Sequence, residues 1–222
     1  MTLEHFWLLF NGLTTTLEIT FFRLLFGSLL AALMTLALIN KTPVLSQVAR
    51  LVILFFTGTP LLIQIFLVYS GPSQFEWIRE SWLWEYLSQA QICAIIALAF
   101  NTAAYSSLLF RGAIEAVPTG DWLACKALGM NRVQTLSVIV PHALRRVLPS
   151  YSNEVILVLK GTSLASSITI MDVMGYANQI NGQTYDAIMA FSAAGVIYLT
   201  LNATLAFAFK LLEKRALRFQ SK

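Results

Sequence analysis

Charge is scarce in this 222-residue sequence. Only 12% of its residues are Asp, Glu, Lys or Arg, where a soluble domain carries about 25%. Cysteine is limited to Cys93 and Cys125 and histidine to His5 and His142. Each shortage excludes something. Two distant cysteines with no C-x-x-C pair make no disulfide or metal framework, and both read as small packing residues. Two isolated histidines form no metal motif. No G-x-x-x-x-G-K-[ST] is present, so the chain is not expected to bind or hydrolyse ATP, and no G-x-S-x-G marks a nucleophile. The start, MTLEHFWLLFNG, has neither a basic n-region nor a small-residue cleavage site, so it does not read as a signal peptide. No hydrophilic stretch is long enough for a separate soluble domain.

What is present is apolar. Residues of the AVILMFWYC set make up 57% of the chain, and the mean hydropathy is +0.70. About 20 mostly apolar residues cross a bilayer. The sequence predicts an all-α integral membrane protein, one domain over 1–222, with five spans at about 13–39, 51–70, 91–111, 151–171 and 187–209. An odd number of spans puts the termini on opposite sides. Lys41, Arg50, Arg111, Lys126, Arg132, Arg145, Arg146, Lys210, Lys214, Arg215, Arg218 and Lys222 gather in or beside the first and third connections and the tail. The other side has Arg79 among Glu76, Glu80, Glu85, Asp172 and Asp186. Loop Lys and Arg orient a membrane chain, so the expectation is N-terminus outside and tail cytoplasmic. Topology then accounts for the net charge of +4, and no nucleic-acid partner is expected. Trp77, Trp82, Trp84 and Tyr86 suit the outer interface.

One span is interrupted. In LFFTGTPLLIQIFLVYSGP, Thr57-Gly58-Thr59-Pro60 breaks the apolar run. Pro is tolerated in a first helical turn and biases the residue before it towards an extended conformation. The stretch reads as a joint between two helices, the second capped by Thr57 or Thr59. Gly58 and Pro60 form either a fixed corner or a hinge.

The third connection, 112–150, carries its own structure. Asp121 can cap a helix over Trp122–Leu128 that Gly129 ends in the left-handed conformation, and Asn131 can cap a second helix running to Pro141. Helix, glycine turn, helix leaves three readings open: a DNA-binding helix-turn-helix, disfavoured between two spans; an amphipathic surface hairpin; or a handle for a cytoplasmic partner.

Four ionisable residues fall inside spans: Glu18, Arg23, Glu154 and Lys160. Such residues are functional candidates by default. Glu18 and Arg23 read as a partly neutralising pair, with Arg23 snorkelling outward. Glu154 and Lys160 lie in NEVILVLKGTSLA, where Gly161-Thr162-Ser163 is a place for the helix to loosen and free backbone groups for a ligand. An amino acid with a basic side chain needs acceptors for its cations, which Glu154 offers. Its carboxylate needs donors, which Thr162, Ser163 and Lys160 offer. Asn101, Thr102 and Tyr105 are further candidates, and the bland alternative pairs Glu154 with Lys160 structurally.

These segments also carry a resemblance. The third connection resembles the Glu-Ala-Ala docking loop of permease subunits in bacterial ATP-binding-cassette (ABC) importers. Here Leu123, Ala124, Cys125 and Gly129 stand at the signature positions, with Pro141 downstream. Docking without that Glu rests on shape and apolar contact. FFTGTPLLIQIFLVYSGP, NTAAYSSLLFRGAIEAVPTG and NEVILVLKGTSLASSITIMDVMG are similar to the same stretches of polar-amino-acid permeases of the histidine/arginine/glutamine type. The resemblance covers nearly everything from Asn11 onward. It implies a type I importer fold and a cytoplasmic ATPase dimer docked at Asp121, Ala124, Cys125, Leu128, Gly129 and Pro141. It also implies a periplasmic amino-acid-binding protein, and a homologous permease or second copy completing the pathway in a bacterial inner membrane. The cargo implied is a polar, basic amino acid such as arginine, with glutamine or histidine as alternatives. The substrate site implied lies around the fourth span, and no cofactor is expected. The rival class is a membrane scaffold that transports nothing.

Overall fold

An apolar run without proline lets the first helix continue unbroken: α1 spans Leu3–Ile39, beginning well before the expected residue 13. The structure is a computed structural model describing residues 3–40 and 42–216; Lys41, Arg218 and Lys222 of the charge argument lie outside them. After α1 come α2 (Pro43–Gly58), α3 (Leu61–Ser70), the short α4 (Glu76–Arg79) and α5 (Trp84–Leu87), and α6 (Ala90–Glu115). Then follow α7 (Thr119–Ala127), α8 (Arg132–Gly161), a 3-10 turn over Thr162–Ile168, α9 (Val173–Thr184) and α10 (Ala187–Ala216). No strand occurs among the described residues. By length and composition α1, α6 and α10 can each cross a membrane, and the spans number up to five if each of two bent pairs counts as one.

The first bent pair is α2 with α3, turned by 112° at Thr59-Pro60. Thr59 is extended, at φ −116° and ψ 148°, as a residue before proline should be. The expected cap is corrected. The Thr57 and Thr59 hydroxyls donate backward to the carbonyls of Ile53 and Phe55, both at 2.7 Å, so neither caps a backbone N–H of α3, and Pro60 itself stands at the N-cap. The second pair is α8 with α9, bent by 48°. Here the expected 172–186 connection is instead mostly helix.

The hairpin differs from expectation in three ways. Helix α7 starts at Thr119, which places Asp121 within its first turn rather than at the cap. Cys125 is buried, so it offers no docking surface, whereas Leu123 and Leu128 are exposed. Pro141 does not end the second helix: α8 runs through Pro141 and Pro149 as 30 continuous residues. Pro141 removes the donor for the Ser137 carbonyl one turn back, and Ser137 is exposed, where water can replace it. The turn itself is as expected. Gly129 is left-handed at φ 68°, and Gly129 N and Met130 N donate to the carbonyls of Lys126 and Cys125, closing α7 in a Schellman motif. Asn131 and Gln134 form a reciprocal capping box at the start of α8.

Helix α6 is central. Its buried face is mostly small, with Ala94, Ala97, Ala103, Ala104, Ser106 and Ser107, which lets helix backbones approach closely. Ile19 of α1, Ile65 of α3, Ala97 and Leu98 of α6 and Ile168 share one apolar cluster. Outward faces carry Phe21, Leu29, Leu54 and Leu199, all exposed.

Candidate functional site

Four elements converge on a cavity of about 380 Å³. Arg23 of α1, Thr59 and Pro60 of the first break, Asn101 and Tyr105 of α6 and Glu154 of α8 line it. Arg23 is 3% exposed. It neither snorkels nor pairs with Glu18, whose carboxylate is exposed and accepts from Gln91 Nε2 at 3.3 Å. The longer α1 explains the correction, because a helix from Leu3 to Ile39 places Arg23 near its middle, beyond a side chain's reach of either end.

A hydrogen-bonded chain runs from that guanidinium to the break. Arg23 Nε donates to Thr102 Oγ1 at 2.6 Å, Nη1 to the Val158 carbonyl at 3.1 Å and Nη2 to Asn101 Oδ1 at 3.3 Å. Asn101 Nδ2 donates onward to Gln64 Oε1 at 2.9 Å. Gln64, 1% exposed, donates through Nε2 to the carbonyls of Phe56 and Thr59 at 2.8 and 2.9 Å. Those carbonyls lie where α2 ends, so a side chain from α3 satisfies groups that a broken helix leaves open. Gly161 makes room for the guanidinium: a Cβ there would stand 2.8 Å from Arg23 Nη1.

The magnitudes show what this site lacks. A charged residue at a helix centre in a bilayer costs about 2.5–3.5 kcal/mol on insertion scales. Interhelical hydrogen bonds average about 0.6 kcal/mol each, and all three partners of Arg23 are neutral. The guanidinium is held in place but not neutralised. Among the described residues the one ion pair is Arg111–Glu115, on the third connection's edge. Glu154 faces the same cavity from α8 without touching Arg23 at ion-pair distance.

Of the residues singled out from sequence, the structure brings Asn101, Tyr105 and Glu154 onto the cavity, with Thr102 behind them. Lys160, Thr162 and Ser163 do not join it. Lys160 is exposed elsewhere on α8. The Thr162 hydroxyl donates to the Leu159 carbonyl and that of Ser163 to Lys160, at 2.7 and 2.8 Å. The helix does loosen there, into the 3-10 turn. Gly58 ends α2, exposed, and Pro60 lies on the cavity wall. Sequence reasoning missed Gln64, although an amide inside PLLIQIFLVY was the available signal. It also misplaced Arg23.

A cavity lined by one guanidinium and one carboxylate, beside a broken helix in a chain of apolar helices, is the kind of site that transporters build near the bilayer midplane. Residues 23–218 match the family described as binding-protein-dependent transport system inner membrane component. The chain belongs to that family. It is 49% identical over 217 residues to the arginine ABC transporter permease protein ArtM of Haemophilus influenzae, covering 98% of this chain and 96% of that one. It is 44% identical over 211 residues to the octopine transport system permease protein OccM of Rhizobium radiobacter, covering 95% and 86%. A solved amino-acid ABC transporter, crystallised with histidines, superposes with a TM-score of 0.85 at 29% identity, over 97% of this chain and all of that one. The MetNI methionine ABC transporter, at 0.79 and 19%, shares the fold. The permease is therefore the membrane subunit of an ABC importer, and ATP hydrolysis belongs to a separate subunit.

Proposed function

We propose that this permease carries arginine across a bacterial inner membrane through the Arg23–Glu154 cavity. The observation that carries the reading is a buried guanidinium and a carboxylate, from two different helices, lining one cavity. Near-50% identity to permeases named for arginine supports the choice of cargo. Glu154 accepts from a substrate cation, and Asn101 and Tyr105 shape the pocket. A single membrane domain over 1–222 crosses five times, N-terminus outside and tail in the cytoplasm. A homologous permease or a second copy completes the pathway, and a periplasmic binding protein delivers the amino acid. Histidine is the second reading, favoured by the histidine-bearing structural relative.

An ATPase dimer docks on the hairpin through Ala124, Leu128, Gly129 and Pro141, with Asp121 at its edge. The continuous α8 gives the coupling a mechanical route. From Arg132 to Glu154 it is one helix, roughly 33 Å long at 1.5 Å per residue. A push on the hairpin therefore tilts the cavity wall directly, with Pro141 and Pro149 as points of flexure. Gly58 and Pro60 serve as the hinge on the opposite wall.

Glu154→Gln tests the reading. Arginine uptake by the assembled importer is expected to fall about tenfold relative to a neutral amino acid, the equivalent of losing about 1.4 kcal/mol. Equal losses for both, with normal assembly, would make Glu154 structural.

A further inference from the structure

We propose that Arg23 binds the α-carboxylate of the transported amino acid. This rests on the cavity being the substrate site. A guanidinium has five N–H donors. Three are engaged, Nε on Thr102, one of Nη1 on the Val158 carbonyl and one of Nη2 on Asn101. Two remain, one on each terminal nitrogen, and Arg23 lines the cavity. Two N–H groups on adjacent nitrogens of a planar fork match the two oxygens of a carboxylate. No other residue lining the cavity offers two such N–H groups. Lys160 is exposed away from the cavity, and the hydroxyls of Thr162 and Ser163 donate within their own turn.

The arrangement is also one that a zwitterion completes. Arg23 is buried with neutral partners only, and Glu154 faces the same space. A ligand with a carboxylate at one end and a cation at the other neutralises both walls together. Thr102 and Asn101 fix the plane of the fork, and the missing side chain at Gly161 leaves the guanidinium its place. Arg23 thereby ties recognition to the break, because its Asn101 partner also holds Gln64.

A bracing role for Arg23 makes a different prediction, and the test separates the two. The complete importer, purified without its binding protein, is titrated with labelled arginine and competed with arginine or with agmatine, its decarboxylated analogue. Agmatine is expected to compete roughly ten- to a hundredfold more weakly, the loss of a charge-assisted pair. Arg23→Gln is expected to lower arginine binding at this subunit's site and leave agmatine unmoved, with Arg23→Lys between. Agmatine competing as well as arginine against the wild-type importer overturns the inference, whether or not the Gln variant assembles. So does Arg23→Gln weakening both ligands equally. No arginine binding to the wild-type importer at all overturns the cavity reading as well.

Discussion

The two bent helix pairs are fixed by different means. At Thr59-Pro60 the angle is 112°, and the open carbonyls are satisfied by Gln64 from the first turns of α3 and by Asn101 of α6, whose other contacts lead to Arg23. At 162–172 the bend is 48°, and none of the groups that fix it lines the cavity. Thr169 sits in the left-handed region at φ 68°, unusual for a β-branched residue. Asp172, fully buried, caps α9 through Gly175 N at 2.7 Å and accepts from Tyr198 at 3.1 Å. Thr16 of α1 accepts from Val173 N at 3.2 Å. Gly12 lies so close that a Cβ there would come within 2.6 Å of the backbone at Asp172 and Val173. One break is wired to the cavity; the other is clamped. A span can be broken for movement or broken for shape, and the partners of its open backbone groups distinguish the cases.

Breaking the clamp should have the largest effect on stability. Gly12→Val forces a side chain into backbone that cannot yield, and we expect a loss of about 3 kcal/mol, read as a lower melting temperature and poor yield of the detergent-purified complex. Asp172→Ala removes a cap and leaves Tyr198 without its acceptor, at a cost of about 2 kcal/mol. Asp172→Asn should recover most of that, because its Oδ1 still accepts from Gly175. Gln64→Leu should affect stability least, by about 1 kcal/mol, yet reduce uptake more than either stability figure suggests. A fall in melting temperature equal to that of Asp172→Ala would erase the distinction between the two breaks.

Much of this was legible where the signal was local. Thr57-Gly58-Thr59-Pro60 announced its joint because Pro and Gly constrain their own backbone, and Gly129 and Asn131 announced the hairpin turn for the same reason. Misreadings came where packing decides. Arg23 meets Asn101 and Thr102 only because α1 packs on α6, and nothing in the residues around position 23 encodes partners some 78 positions away. Asp172 looked like one more acid in an outer loop, whereas its burial depends on Gly12, Thr16 and Tyr198. Pro141 looked like a helix end, yet an exposed carbonyl one turn back lets the helix continue.

The most direct test of the account is to purify the tagged permease in mild detergent from its native membranes and identify by mass spectrometry what comes with it. The expected result is an ATPase in stoichiometric amount together with a second, homologous permease or a second copy of this chain. A clean complex without an ATPase would contradict it: the Asp121–Pro141 hairpin would then be a surface amphipath, and α8 would have nothing to transmit.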